Sequence, residues 1–166
     1  MTWTLAVSAS AAQPAVMSDG FIATSTPKAD SEQSPTETVT IKRDGYGVPH
    51  VYAESNYDLF FGYGYVLGED RLFQMEMARR AVLGTSAEVL GEEYVEIDKQ
   101  TRQTFSSEAI QDQLDELPED ELDILQGYAD GLNHYINRVS DSPDTLLPKQ
   151  FHDHGFSPEE WSSYDV

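Results

Sequence analysis

The sequence contains no cysteine, and it has few basic residues. Of its 166 residues, 10 are Lys or Arg and 30 are Asp or Glu, which gives a formal net charge of -20 at pH 7. The absence of cysteine excludes disulfides and thiolate metal sites. The negative charge argues against a nucleic-acid partner, because such partners are bound by clusters of Lys and Arg. No stretch is apolar over the ~20 residues that a membrane-spanning helix needs, so we expect no membrane partner.

Lysine is scarce, and carboxylates are dense in three short segments. The sequence has only four lysines, and its acidic runs lie at 91–98, 112–123 and 158–161. An acidic, lysine-poor surface is typical of proteins that remain soluble in concentrated salt, so we hypothesise a halophilic source. The carboxylates could alternatively bind calcium, but the EF-hand pattern with its central glycine is absent from the sequence.

The N-terminal region differs in composition from the rest of the chain. An apolar run, Trp3–Val7, precedes Ala9-Ser10-Ala11, which resembles a small-residue cleavage site without the usual basic start. Residues 13–35 are rich in Ser, Thr, Pro and Ala, a composition that predicts disorder. We therefore interpret residues 1–37 as a signal-like leader and a disordered linker, predict a domain over residues 38–166, and expect an exported protein, periplasmic or extracellular.

An antiparallel β-hairpin is predicted at the start of this domain. Val39 and Ile41 alternate with polar residues, Asp44-Gly45 provides a turn, and a second strand runs through His50–Ala53. Helical patterns follow at 58–83, 87–90, 96–105, 107–117 and 118–139. The sequence therefore predicts an α+β fold that is mostly α-helical after the hairpin.

The longest predicted helix is apolar on nearly every face of its first half. Its main apolar stripe consists of Leu59, Tyr63, Val66, Phe73 and Met77. Asp70 falls on the same stripe, and with Arg71 and Gln74 it would form a polar cluster that other parts of the protein bury. Because an unpaired buried charge is strongly destabilising, we expect these side chains to have partners beyond their own helix.

Two pairs of glycines lie four residues apart in predicted helices. Gly64 and Gly68 belong to the long helix, and Gly127 and Gly131 belong to the helix at 118–139. Such spacing leaves part of one helix face without side chains, so another backbone or a ligand can approach closely. We predict that the two helices cross at these glycines, and we favour tight core packing over direct contact with a ligand.

Histidines are the remaining candidates for chemistry. His152-Asp153-His154 could supply zinc ligands, but no distant further ligand is evident, and a solvated polar loop is the simpler interpretation. His50 could act as a general base. No nucleophile motif such as G-x-S-x-G accompanies it, which favours a structural hydrogen bond.

Four ordered blocks resemble the α chain of bacterial penicillin acylases. They are GYGYVLGEDRLFQMEMARR at Gly62–Arg80, GTSAEVLG at Gly84–Gly91, LQGYADGLN at Leu125–Asn133 and LLPKQF at Leu146–Phe151. Relatives commonly carry Ala-Gln where this sequence has Gly68 and Glu69, which leaves open how the predicted polar cluster is paired. The resemblance implies an N-terminal nucleophile hydrolase, with an α/β/β/α architecture that a β chain cut from the same precursor completes.

This resemblance also implies a division of labour between the two chains. In such enzymes a serine on the β chain attacks the amide of a small-molecule substrate, and its own free α-amine acts as the base. No position of this sequence corresponds to that serine, so no catalytic residue, cofactor site or metal ligand is assigned to it. The family binds calcium at the chain junction, which makes calcium possible in the complete protein. Because the family's pocket-bearing helix begins after a block like WSSYDV, we expect this segment to be an incomplete α chain.

Two other functions remain open at this point. The first is another acylase of the superfamily, such as one acting on acyl-homoserine lactones. The second is a catalytically inactive, truncated helical interaction module.

Overall fold

A small antiparallel sheet precedes the helices. The structure, a computed structural model, describes strand Thr2–Leu5 and residues 34–166. Strands β1 (Thr2–Leu5), β2 (Val39–Arg43) and β3 (Pro49–Tyr52) pair in the order β1-β2-β3. The β2–β3 pairing places Ile41 opposite Val51, so the predicted hairpin is confirmed. β1 falls within the segment interpreted as a leader, and residues 6–33 lie outside the described residues; the leader, the linker and export therefore stay predictions.

Seven α-helices follow in the described part of the chain. Helix α1 is Asn56–Leu83, and the others are α2 (Ala87–Leu90), α3 (Val95–Thr104), α4 (Ser107–Asp115), α5 (Glu119–Asp141), α6 (Pro143–Leu146) and α7 (Lys149–His154). Short 3-10 turns lie at Glu92–Tyr94 and Ser163–Asp165. The α+β class, mostly helical after a hairpin, is confirmed. Over the described residues, none of these helices has both the length and the apolar character required to span a bilayer.

Local signals in the sequence fix both ends of α1. The Ser55 hydroxyl accepts a hydrogen bond from the backbone N–H of Asp58 at 3.0 Å, and Gly84 ends the helix in the left-handed conformation with φ 65°. The fully buried Asp58 carboxylate accepts hydrogen bonds from the backbone N–H and hydroxyl of Thr36, at 2.8 and 3.0 Å. Thr36, two residues before the predicted start of the domain at Thr38, therefore already contacts α1.

The two long helices, α1 and α5, cross with their backbones almost in contact. A Cβ atom built on Gly64 would lie 2.0 Å from the carbonyl oxygen of Tyr128, and one on Gly131 would lie 1.9 Å from that of Phe61. Gly127 meets the Tyr57 carbonyl in the same way, at 2.4 Å. Both predicted glycine pairs are therefore brought to one crossing, where Gly64, Gly127 and Gly131 face backbone carbonyls and Gly68 faces the side chains of Leu132 and Tyr135.

The sheet packs on another side of α1. A Cβ atom at Gly62 would lie 2.6 Å from the side chains of Val39 and Val51, which shows how closely the hairpin approaches the helix. The core combines sheet, helix and C-terminal residues: Val39, Ile41, Tyr65, Val66, Leu72, Tyr128, Ala129, Leu132, Tyr135, Ile136, Val139, Phe151 and Trp161. Burial raises the pKa of the Tyr65 and Tyr128 hydroxyls to about 12, so both stay neutral throughout the physiological range.

The exposed face of α1 differs from the sequence-based expectation. Leu59 and Tyr63 of the predicted stripe are exposed, whereas Phe61 and Leu72, which lie outside that stripe, are buried. Two physical causes account for the difference. The glycine crossing turns the 57–61–64–68 side of α1 toward α5, and a non-helical residue at Arg71 (φ -143°, ψ 22°) shifts the helical phase that follows it.

We predict that Gly64→Ala destabilises the fold, because the new methyl group would overlap the Tyr128 carbonyl that approaches α1. The free energy of unfolding should fall by about 3 kcal/mol, at the upper end of overpacking effects, even though Ala is the better helix former by roughly 1 kcal/mol. Urea denaturation followed by circular dichroism measures the change. Gly45→Ala is the control, since nothing lies within 4 Å of a Cβ there. Equal stabilities of the two variants would contradict the backbone contact.

Candidate functional site

The predicted polar cluster lies on the surface of this chain. Asp70, Arg71 and Gln74 are all exposed in this chain, so the chain does not bury them by itself, and their burial by other parts of the protein stays a prediction. Arg71 donates a hydrogen bond to Gln74 within the same helix at 3.1 Å. Asp70 does have a partner outside α1, the guanidinium of Arg43 in β2, at 2.8 and 3.0 Å. The non-helical backbone at Arg71 and the hydrogen bonds from Arg43 to Asp70 position this exposed turn of α1.

Arg43 joins the hairpin to α1 through three hydrogen bonds, and a fourth stays within the hairpin. Besides Asp70, its guanidinium donates to the carboxylate of Glu69 at 2.6 Å and to the carbonyl of Gly47 at 2.9 Å. Partial burial acts to lower the pKa of Arg43, but its hydrogen bonds to the carboxylates of Asp70 and Glu69, with their negative charge, outweigh burial and raise that pKa above its usual value. Glu69, one of the two departures from the family pattern, therefore gives Arg43 a second carboxylate.

The turn beside Arg43 is ordered by Asp44. Its Oδ1 accepts hydrogen bonds from the backbone N–H groups of Tyr46 and Val48, at 2.8 and 3.0 Å, which lower the pKa of this carboxyl below its usual range. The imidazole Nε2 of His50 lies 3.6 Å from the other Asp44 oxygen. His50 is thus exposed next to a turn carboxylate.

The buried ionic cluster of α1 lies one to two turns after the predicted one. Glu76 is 1% exposed, and its two carboxylate oxygens accept from Arg79 at 2.6 Å and from Arg80 at 3.0 Å. Burial raises the pKa of Glu76, while the two guanidinium groups act in the opposite direction. A carboxylate enclosed in this way orients both arginines, because each of its oxygens engages a different one.

Both arginines hold the irregular segment 156–165, which we call the C-terminal segment. Arg79 donates to the carbonyl of Glu160 at 2.8 Å, and its guanidinium lies 4.8 Å from the centre of the Trp161 ring. Arg80 reaches the carboxylate of Glu159 at 3.4 Å and lies over the ring of Phe156 at 5.1 Å. Cation–π contacts and charged hydrogen bonds thus fix this segment on the end of α1.

Helix α5 holds the same segment from its other side. The Asn133 amide makes two hydrogen bonds to the backbone of Trp161, both at 2.7 Å. Gln126 accepts from the Ser163 hydroxyl at 2.8 Å and donates to Asp130 at 2.9 Å. The arginine cluster of α1 and the amides of α5 together determine the path of a segment that has little regular secondary structure.

The sequence carried a signal for this cluster that our reasoning missed. Glu76 precedes Arg79 and Arg80 by three and four residues, which is the spacing at which oppositely charged side chains meet on a helix. The apolar stripe points instead to Asp70, which falls on it. Arg79 contacts Glu160, which lies 81 residues further along the chain, and the neighbouring Trp161. Local spacing in the sequence could not reveal contacts between residues so far apart.

The histidine-containing tripeptide is helical and not a loop. His152, Asp153 and His154 belong to α7; Asp153 pairs with Lys149, and the His154 ring stacks on Phe73 with 5.8 Å between ring centres. Across residues 34–166, no group of three or more His, Asp or Glu side chains converges as a metal site would require. The described residues therefore offer no such metal site, and calcium in the complete protein stays a prediction.

Comparison with known proteins decides the family. The sequence model of the penicillin amidase family matches residues 38–166. The chain belongs to the penicillin amidase family. This match confirms the resemblance drawn from the four sequence blocks.

Individual members of the penicillin amidase family differ in their similarity to this chain. Penicillin G acylase of Escherichia coli is 52% identical over 136 residues, which cover 82% of this chain and 16% of the relative. Penicillin acylase 2 proenzyme of Pseudomonas sp. (strain SE83) is 35% identical over 126 residues, covering 76% and 16%. Acyl-homoserine lactone acylase QuiP of Pseudomonas putida is 32% identical over 130 residues, covering 78% and 15%. The chain thus spans only about a sixth of the length of these curated relatives.

A solved structure of the family shows the same fold. Thermostable penicillin G acylase from Alcaligenes faecalis matches with a TM-score of 0.74 and 51% sequence identity. The match covers 77% of this chain and 67% of that chain. Both the helical arrangement and the sequence therefore relate this chain to penicillin G acylases.

We predict that Glu76→Gln destabilises the chain, because two arginines lose their shared charged partner in a buried site. The expected loss is about 3 kcal/mol in the free energy of unfolding, typical of a broken buried ion pair. Glu88→Gln is the matched control: its side chain also contacts Arg80, at 3.1 Å, but is 62% exposed, and the change should cost less than about 1 kcal/mol. Limited proteolysis should cleave the C-terminal segment faster in Glu76→Gln only. Equal effects of the two changes would show that burial of Glu76 is unimportant.

Proposed function

We propose that this chain is the N-terminal part of the α chain of a penicillin acylase-like amidase. The complete enzyme would hydrolyse a linear amide and release an acyl group from an amine such as a β-lactam antibiotic nucleus. The observation that carries this proposal is the 52% identity with Escherichia coli penicillin G acylase, maintained over 136 residues. The likeness to a solved penicillin G acylase, with a TM-score of 0.74, supports it.

The chemistry in this proposal belongs to a β chain released from the same precursor. Its N-terminal serine would attack the amide carbonyl while the serine's own α-amine, with a reference pKa near 7.7–8.0, takes up the hydroxyl proton. Hydrogen-bond donors would stabilise the oxyanion. The C–N bond would then break, the amine would leave with that proton, and water would hydrolyse the acyl-serine ester to release the acid. The precursor would be inactive until cleavage exposes that amine. The Pseudomonas sp. (strain SE83) relative is named a proenzyme, which supports such a precursor.

The part assigned to this chain is structural. Its contacts serve to place the hairpin, the helices and the C-terminal segment: the glycine crossing, Arg43 on Glu69 and Asp70, and Glu76 on two arginines. None of these groups combines a nucleophile with a base in the way that amide hydrolysis requires.

A second candidate is an acylase that acts on acyl-homoserine lactones. Its support is the 32% identity with acyl-homoserine lactone acylase QuiP of Pseudomonas putida over 130 residues. Both reactions cleave an amide and differ in the acyl group and the amine. The difference between 52% and 32% identity favours the penicillin acylase-like activity.

We predict that this chain alone hydrolyses no phenylacetyl amide, whereas a split assembly does. The split assembly consists of this chain co-expressed with the part of the Escherichia coli penicillin G acylase precursor that follows the aligned region. Release of a chromogenic amine from a phenylacetyl amide, measured beside hydrolysis of an acyl-homoserine lactone, gives the result. A partner polypeptide with its nucleophilic serine replaced by alanine is the control.

Three outcomes would contradict the proposal, and the first is a split assembly that hydrolyses neither amide. Turnover by the isolated chain would place the chemistry here and not on a partner. Faster hydrolysis of the acyl-homoserine lactone by the split assembly would favour the second candidate.

We also propose that the protein works in concentrated salt. With 30 acidic against 10 basic residues, its self-repulsion should be relieved as the screening length shortens, from about 10 Å at 0.1 M salt to about 3 Å at 1 M. We predict that the thermal midpoint rises between about 0.1 M and about 1 M NaCl, as measured by circular dichroism. An equal concentration series of sucrose controls for general stabilisation by solutes. A midpoint that stays constant in NaCl would contradict the hypothesis.

A further inference from the structure

Strand β1 covers one edge of β2. The two strands pair antiparallel, with Thr2 opposite Lys42 and Leu5 opposite Val39. Because the strand order is β1-β2-β3, β2 is a central strand only while β1 is in place. Without β1, alternate N–H and C=O groups of β2 would face no partner strand, and an edge of that kind pairs readily with other extended chains. β1 therefore closes an edge that could otherwise bind a strand.

Strand β2 is held in place independently of β1. The Val39 side chain packs against Gly62 of α1, and β3 pairs along the other edge of β2. Arg43, the last residue of β2, donates hydrogen bonds to the carboxylates of Glu69 and Asp70 in α1. Since none of these contacts involves β1, the edge that β1 covers is formed in advance, and a strand can bind there with little reorganisation.

The attachment of β1 is weaker than that of β3. Among the described elements, only β2 makes an extended contact with β1, whereas β3 contacts both β2 and α1. The connection between β2 and β3 consists of residues 44–48, and the connection between β1 and β2 consists of residues 6–38. Closing the longer connection costs more conformational entropy. The four-residue strand β1 can therefore detach while the hairpin stays intact.

We propose that this edge of β2 is a strand-binding site, that β1 occupies it reversibly, and that another extended peptide binds there when β1 leaves. The ligand is a peptide that pairs antiparallel with β2. Alternate residues of such a strand lie opposite Val39 and Ile41, which belong to the core, so apolar residues are favoured at those positions. The sequence of β1 has this alternation, with Trp3 and Leu5 as its apolar residues.

The location of β1 in the chain makes occupancy of the edge adjustable. β1 falls within residues 1–37, which we interpret as a signal-like leader. While that segment is attached, β1 competes for the edge as a tethered strand, at an effective concentration on the order of millimolar. Loss of the segment would leave the edge open. This inference goes beyond the proposed function, because strand binding at β2 requires no amide hydrolysis.

A second copy of this chain is a poor occupant of the edge. Two β2 edges could pair with each other, but each chain carries a formal charge of -20, so repulsion opposes their approach. A short peptide without charged groups meets no such repulsion. TWTLAVS, residues 2–8 with both ends blocked, is a peptide of this kind and serves as the probe.

The first test opens the edge in the full chain. Trp3→Pro combined with Thr4→Pro removes two successive backbone donors, one of which faces β2, because neighbouring N–H groups of a strand point to opposite sides. Ala11→Pro combined with Ala12→Pro is the control. Fluorescence anisotropy measures binding of labelled TWTLAVS. We expect the β1 variant to bind about tenfold or more tightly than the unchanged chain, whose own β1 competes. The control should bind as weakly as the unchanged chain.

Three results of this test would overturn the proposal. The first is equal binding of the peptide by the β1 variant and the control. The second is equal binding of a peptide in which serine replaces Trp3 and Leu5, since the site would then not select apolar residues. The third is a dimer of the β1 variant that excess peptide does not dissociate, which would assign the edge to a second copy.

Hydrogen exchange in the unchanged chain keeps the proposal falsifiable if the β1 variant folds poorly. Alternate amides of β2 face β1, and the others face β3. We expect the first set to be protected but to exchange about tenfold or more faster than the second, because β1 detaches while the hairpin stays paired. Equal exchange rates for the two sets would show that β1 does not leave separately. Absence of protection in the first set would show that β1 does not cover the edge, and either result would overturn the proposal.

Discussion

The contact between the backbones of α1 and α5 is the constraint on which the other contacts of this chain depend. Each helix presents glycines to carbonyl groups of the other: Gly64 to Tyr128, and Gly131 to Phe61. A contact this close fixes both the rotation of each helix and its position along the other. The hairpin then packs on the side of α1 that contains Gly62, and the first half of α1 keeps one apolar side uncovered.

Two sets of ionic contacts attach the hairpin and the C-terminal segment to α1. Arg43 ties the hairpin to the middle of α1, and Glu76 orients two arginines at its end. The two sets lie on either side of the non-helical residue Arg71, so each half of α1 has its own anchor. Asn133 connects α5 to the C-terminal segment, which is thereby held by both long helices.

Much of this fold could be predicted from short-range pattern, and the site only in part. Alternation at Val39 and Ile41 indicated the hairpin, and spacing indicated both long helices and the glycines at which they meet. Burial of individual charges could not be predicted in the same way. Asp70 is exposed and Glu76 is buried, although both lie in one charged stretch, because tertiary partners far along the chain and the altered phase at Arg71 decide which charge faces inward.

The hydrogen bonds that hold the C-terminal segment have an evolutionary consequence. Arg79 bonds to the carbonyl of Glu160, and Asn133 bonds to the N–H and the carbonyl of Trp161, so these contacts engage the main chain. A peptide group is the same whatever residue carries it. A substitution at position 160 therefore leaves its hydrogen bond to Arg79 available. A substitution of Arg79 or Asn133 instead removes a side chain on which these hydrogen bonds depend.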